Sequence, residues 1–253
     1  MTIFQAIALA IVQGLTEFLP VSSSGHLILA QQVFKLSEPP IFFDVLLHFG
    51  TLGSIFVFFW KDIWELIVRW RKNLNTWLFL VLGSIPAALL GFFLNSKIKA
   101  AFNSLFFVAA AWTVFGTLLI LASKIKSKKK EMEWGDALFV GTAQALALLP
   151  GISRSGSTIS AGLARKLPRE SVFRFSFLLA IPAILGATIL ELKNISISEI
   201  NFFRDGLAVA VAGIVGYFSL VVLRKVLKSE IFFYFGYYCL ALGLIILLSL
   251  SFL

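Results

Sequence analysis

Long apolar runs, each close to the length a helix needs to cross a membrane, alternate along the chain with short segments that carry most of the charge. Six runs, at 41–60, 75–94, 101–123, 171–192, 205–224 and 231–252, hold about twenty residues each, enough at about 1.5 Å per residue for a hydrocarbon core of about 30 Å. Two further apolar stretches break early. Pro20 ends the first at 3–19 and leaves about a dozen residues from Gly25 to Leu36, and the second, 135–149, stops at Pro150-Gly151 with about ten residues from Ser155 to Ala164 behind it. Runs this short predict re-entrant hairpins, which dip in and return on the same side. The pattern predicts an all-α polytopic membrane protein, six transmembrane helices plus two re-entrant helical hairpins. It forms a single domain over 1–253: hairpin 1 at 1–40, three helices in 41–124, hairpin 2 at 135–165 and three helices in 171–253.

Composition supports this reading. With 59% hydrophobic residues, 14% charged residues and a mean hydropathy of +0.93, the chain holds more apolar surface than one soluble core buries. No Lys or Arg precedes Lys35, so the first apolar stretch lacks the basic start of a cleaved signal peptide and is expected to stay in the mature protein. The net charge of +9 does not point to nucleic acid, because the basic residues fall in short runs between apolar stretches, as topology signals do. A single cysteine, Cys239, excludes an intrachain disulfide and reads as a small packing residue. Trp60, Trp64, Trp70 and Trp77 flank a basic loop and read as an interfacial belt.

If the first hairpin enters from outside, sixteen Lys and Arg residues fall inside and five (Lys35, Lys97, Lys99, Lys193, Arg204) outside, which places both termini on the outer side. Lys128 to Lys130 then serve as a cytoplasmic anchor. Three helices separate the hairpins, an odd number, so the second hairpin enters from the opposite face and the two tips can meet near the midplane. A shift of 131 positions matches Gln13 with Gln144, Leu15 with Leu146, Ser22 with Ser153, Ser24 with Ser155 and Gly25 with Gly156. That is the pattern of an inverted repeat, which builds midplane sites from broken helices. A second echo, Ile85-Pro86-Ala87 against Ile181-Pro182-Ala183, lies in helices that this topology makes parallel and does not support inversion. Gly83, Ala87 and Gly91 recur every four positions as a helix-packing face.

The chemistry collects at the two tips. A charge at bilayer depth costs roughly 2.5–3.5 kcal/mol, so Glu17, His26 and Arg154 read as a site. Ser22-Ser23-Ser24-Gly25 and Ser153-Arg154-Ser155-Gly156 each precede a short helix, where free N–H groups, the positive dipole end and serine hydroxyls make an anion site suited to a phosphate or diphosphate. Arg154 suits phosphate oxygens through paired hydrogen bonds, the alternative being a salt bridge to Glu17 that only locks the hairpins together. Gln13 and Glu17 lie four residues apart on one helix face; together they can hold a divalent cation, or Glu17 can orient a histidine. His26 is near enough to Ser23 to act as its base, or as an acid toward the leaving group. His48, four residues after Asp44, reads as a supporting or structural residue.

Gln13-Gly-Leu-Thr-Glu17, continued by Leu-Pro-Val-Ser-Ser-Ser-Gly-His26, and Leu149-Pro-Gly-Ile-Ser-Arg-Ser-Gly-Ser-Thr158 closely resemble the undecaprenyl-diphosphate phosphatase family of bacterial inner membranes, associated with bacitracin resistance. The likeness covers nearly the whole chain. It implies hydrolysis of undecaprenyl diphosphate to the monophosphate carrier of cell-wall synthesis, with a divalent cation, Mg²⁺ or Ca²⁺, and a site open toward the periplasm. Carried over, it makes Ser23 the nucleophile, Glu17 and His26 its acid–base or metal groups and Arg154 the phosphate clamp. Ser22, Ser24, Gly25, Ser153, Ser155, Gly156 and Thr158 would contact the substrate, with Gln13 and Glu17 at the metal. The family motif commonly opens with glutamate where this chain has Gln13, which removes one charged metal ligand. Attack by His26, or by water without a covalent step, stays open, as does homo-oligomerisation. The competing class is a transporter of prenyl phosphate or another anionic lipid, since carriers share this architecture.

Overall fold

The structure is a computed structural model and describes residues 1–36, 41–128, 131–192 and 201–252. Among these, twelve α-helices and no strand are found: α1 Ile3–Phe18, α2 Ser23–Val33, α3 Ile41–Phe58, α4 Trp60–Val68, α5 Leu74–Phe93, α6 Asn95–Phe102, α7 Leu105–Ser123, α8 Trp134–Leu146, α9 Arg154–Ala164, α10 Arg169–Leu192, α11 Phe202–Lys228 and α12 Phe233–Leu250. Local sequence marks several starts. Thr2 and Gln5 form a capping box on α1, and Ser104, Ser153 and Asn201 cap α7, α9 and α11 through their side chains.

Five helices are long and apolar enough to cross a membrane: α5, α7, α10 over Arg169–Ile189, α11 and α12. The sixth expected span, 41–60, closes two residues early. α3 ends at Phe58 and the chain turns by 71° into α4. The reason lies in α4 itself, where Lys61, Asp62 and Glu65 interrupt the apolar run while Trp60, Trp64 and Ile67 stay exposed, a helix suited to an interface rather than an interior. The run expected over 101–123 also shortens, because its first two residues complete α6.

The repeat is visible in the element boundaries. Ile3 and Trp134 begin α1 and α8, Ser23 and Arg154 begin α2 and α9, and Val33 and Ala164 end them, so each pair is offset by the same 131 positions. The stops match too: α2 and α9 each close with a positive-φ lysine, Lys35 and Lys166, and a following amide that bonds back to Gln31 or Gly162. Packing follows the same exchange. α1 lies on α11 and α8 on α5; α3 lies on α11 and α10 on α5; α7 and α12 pair with each other, as do α3 and α10.

Small residues allow these close crossings. A Cβ on Gly141 would stand 2.3 Å from the Gly83 carbonyl oxygen, and one on Gly116 would stand 2.6 Å from that of Gly236. Gly83 thus belongs to the packing face read from its spacing, and Cys239 is buried. The starts of α2 and α9 both rest on α7, Gly25 against Trp112 and Gly156 against Phe115.

Charges assigned to one side also meet one another. Arg174 pairs with Asp62 at 2.7 Å, Arg224 pairs with Glu170, and Arg169 approaches Glu230 at 3.5 Å. On the side assigned as outer, Arg204 reaches the Met1 carbonyl at 3.3 Å. Lys129, Lys130 and Lys193 of the charge count lie outside the described residues.

Candidate active site

Gln13 and Glu17 sit one turn apart on the buried face of α1, and the Gln13 amide donates to Glu17 Oε2 at 3.1 Å. Pro20 has no N–H to continue the helix and disfavours helical geometry at Leu19 before it, so the chain leaves α1 extended. Ser22 follows at φ 70°, a conformation that costs a non-glycine residue on the order of 1–3 kcal/mol and gathers at functional sites. Its side chain makes no cap, and its carbonyl accepts from His26 Nδ1 at 2.7 Å. Ser23, the first residue of α2, donates its hydroxyl to Glu17 Oε2 at 2.7 Å.

The second half supplies the opposite charge. Arg154 begins α9 as Ser23 begins α2, and its Nη2 donates to Glu17 Oε1 at 2.9 Å. The Arg154 and Glu17 side chains are only 14% and 6% exposed. The guanidinium lies 5.7 Å from the centre of the Phe177 ring, a cation–π contact. Two residues related by the repeat, a hydroxyl and a guanidinium, therefore share one buried carboxylate. The hairpin tips do meet.

His48 joins them from α3, its Nε2 lying 3.5 Å from Glu17 Oε2 while its Nδ1 bonds to the Asp44 carbonyl at 2.7 Å. Asp44 in turn receives the Gln31 amide at 2.9 Å. His48 is thus closer to the carboxylate than its reading as a supporting residue implied. Its signal was in the sequence, an ionisable pair inside an apolar run. Phe177, Trp112 and Tyr238, which complete the surroundings, gave no such signal.

His26 is the main departure. It is not bonded to Ser23: Nδ1 is held by Ser22 and Nε2 by the Tyr238 hydroxyl at 2.8 Å. The group poised to take the Ser23 proton is Glu17. The smaller tip residues bond within the protein. Ser22 and Ser24 hydroxyls pair at 3.3 Å, and Ser153 and Ser155 pair at 3.1 Å while Ser153 caps the Gly156 amide. Thr158, fully buried, is spent on the Arg154 and Ser155 carbonyls and on Ser176 at 2.5 Å. Gly25 and Gly156 are buried against the rings of Trp112 and Phe115, where they admit close packing.

Buried polar atoms without partners remain at the tips: Gln13 Oε1, Arg154 Nη1 and both polar atoms of the Gln144 amide. An unpaired buried donor or acceptor is costly and calls for a ligand. Among the described residues no group of three His, Cys, Asp or Glu could hold a metal. Gln13 turns its amide N–H to Glu17 and leaves Oε1 unpartnered, so the oxygens present for a cation are this amide oxygen and the Glu17 carboxylate, with the rest to come from phosphate.

The fold and site define a polytopic membrane protein whose two broken helices enclose a buried acid, a hydroxyl and a guanidinium. Residues 6–245 match the family model described as bacitracin resistance protein BacA. The chain belongs to that family. It is 40% identical to a protein of Desulforapulum autotrophicum named undecaprenyl-diphosphatase, with 98% of this chain and 99% of that one covered. Proteins of the same name from Carboxydothermus hydrogenoformans and Halothermothrix orenii are 41% and 37% identical, with 98% of this chain and 97% and 98% of theirs covered.

Proposed function

We propose that the chain hydrolyses undecaprenyl diphosphate to undecaprenyl phosphate and inorganic phosphate, with Ser23 as nucleophile. The observation that carries the site assignment is the Glu17 carboxylate shared by Ser23 and Arg154. The terminal phosphate enters between the tips while the prenyl chain stays in lipid. Arg154 Nη1, buried and unpartnered, is the donor free to bind it while Nη2 stays on Glu17. Ser23 Oγ attacks the terminal phosphorus and passes its proton to Glu17. The bond between that phosphorus and the bridging oxygen breaks, and prenyl phosphate leaves with the electron pair. Water then opens the phosphoserine, and the Glu17 proton returns to Ser23.

Gln13 Oε1 and the Glu17 carboxylate would hold a divalent cation, Mg²⁺ or Ca²⁺, whose chemistry there is to screen the diphosphate charge. The sixteen-to-five distribution of Lys and Arg supports both termini on the outer side of the bacterial inner membrane, and the family resemblance implies that the site opens on that periplasmic side. Phosphate release from undecaprenyl diphosphate by the purified chain in detergent tests the reading, and Ser23→Ala is expected to lose it. Movement of labelled lipid across liposomes without phosphate release would instead mark a carrier.

A further inference from the structure

His26 uses both ring nitrogens within the protein. The Ser22 carbonyl, 2.7 Å from Nδ1, can only accept, so Nδ1 carries the hydrogen. Nε2 of the neutral ring is then an acceptor, and the Tyr238 phenol at 2.8 Å is its donor. The same tyrosine stacks on the imidazole with centroids 5.7 Å apart and planes 11° from parallel. Trp112 meets the ring edge-on at 5.2 Å and is itself fixed by its Nε1 bond to the Val21 carbonyl at 2.8 Å. The Ser22 carbonyl thus sets the tautomer, while Trp112 of α7 and Tyr238 of α12 set where the ring lies.

The pair is also less buried than the carboxylate. Tyr238 is 47% exposed, whereas Glu17 is 7% exposed.

We propose that Tyr238 is a positioning residue of the phosphatase reaction. Its hydroxyl and ring hold in place the imidazole that the Ser22 carbonyl keeps as the Nδ1–H tautomer, so that Nε2 stays an oriented acceptor three residues from the nucleophile. This rests on the assignment of Ser23, Glu17 and Arg154 as the site of the terminal phosphate. No bond-making step is added; the tyrosine fixes where the acceptor nitrogen of His26 lies.

The chain has two histidines, His26 and His48, so ¹⁵N-histidine labelling of the full protein in detergent gives two ring systems, assigned with His48→Gln. The expected result for His26 is a protonated Nδ1 and a hydrogen-bonded, unprotonated Nε2. Tyr238→Phe keeps the stack and removes the hydroxyl. It should move the His26 Nε2 signal toward that of a free imine nitrogen, leave His48 unmoved, and lower kcat for phosphate release about tenfold with little change in KM. Tyr238→Leu, which also loses the stack, should lower kcat further. An Nε2–H tautomer in the wild type, an unchanged kcat in Tyr238→Phe, or a kcat loss with unmoved His26 signals would overturn the proposal. Ser23→Ala keeps the two readings apart. It should abolish phosphate release with His26 signals at their wild-type positions, and release that survives would sink the nucleophile while the tyrosine stands or falls on its own spectrum.

Discussion

Removing Arg154 should harm the protein twice, and the two losses are separable. Arg154→Ala leaves the Glu17 carboxyl, 6% exposed, without its cation at 2.9 Å. For charge centres ~4 Å apart and an effective dielectric constant of ~20, the lost attraction is about 4 kcal/mol, within the range of about 3–5 kcal/mol typical of breaking a buried pair from one side. The hydrogen bonds from Ser23 and Gln13 remain and hold the loss at the lower end of that range. The double variant Glu17→Gln/Arg154→Ala removes both charges and should regain most of the lost stability. Activity should not return, because the phosphate clamp is gone; loss of one charge-stabilising donor costs about 10²–10³ in kcat. Unfolding in detergent and phosphate release are read on wild type, both single variants and the double. If Arg154→Ala matches wild type in stability, or the double variant loses the sum of the single losses, the ion pair does not hold the tips together and the reasoning fails.

Two further outcomes follow from other parts of the site. A Cβ at Gly156 would lie 2.5 Å from Phe115 Cζ, so Gly156→Ala should destabilise the protein by about 1–3 kcal/mol, and Phe115→Leu should relieve much of this in a thermal unfolding assay. Gln13→Glu restores the charge common in the family motif and should lower the Mg²⁺ or Ca²⁺ concentration for half-maximal phosphate release, whereas Gln13→Leu, lacking the unpartnered Oε1, should raise it; equal cation dependence in all three proteins would remove Gln13 from the metal.

Much of this architecture is legible in the chain because membranes restrict it. Five apolar runs become long helices, since in lipid the backbone must satisfy its own hydrogen bonds. The repeat was readable from five matched residues, and the common 131-position offset of α1, α2, α8 and α9 extends it to whole elements. Glu17 and Arg154 were legible for a related reason, as charges too expensive at depth to lack a role. The end of α3 was legible to within two residues because Lys61 and Asp62 stop the apolar run, but hydropathy carries no sign of the 71° turn into α4.

Partner choice was the least legible feature. Ser23 and His26 are three residues apart, a spacing that suggests a dyad. Yet the Ser23 hydroxyl is captured by Glu17, and the second nitrogen of His26 by a tyrosine 212 residues away. No local pattern reports a contact of that range. His48 sits between these cases: its charge pattern was visible, but its approach to Glu17 at 3.5 Å depends on how α3 packs beside α1.

The most direct test of Ser23 as nucleophile is a single-turnover reaction with enzyme in excess and ³²P in the terminal phosphate of undecaprenyl diphosphate, quenched in acid and mapped by peptide. Label is expected on Ser23 in the wild type, and neither bound label nor free phosphate in Ser23→Ala. Free labelled phosphate formed by Ser23→Ala at the wild-type rate would contradict the account.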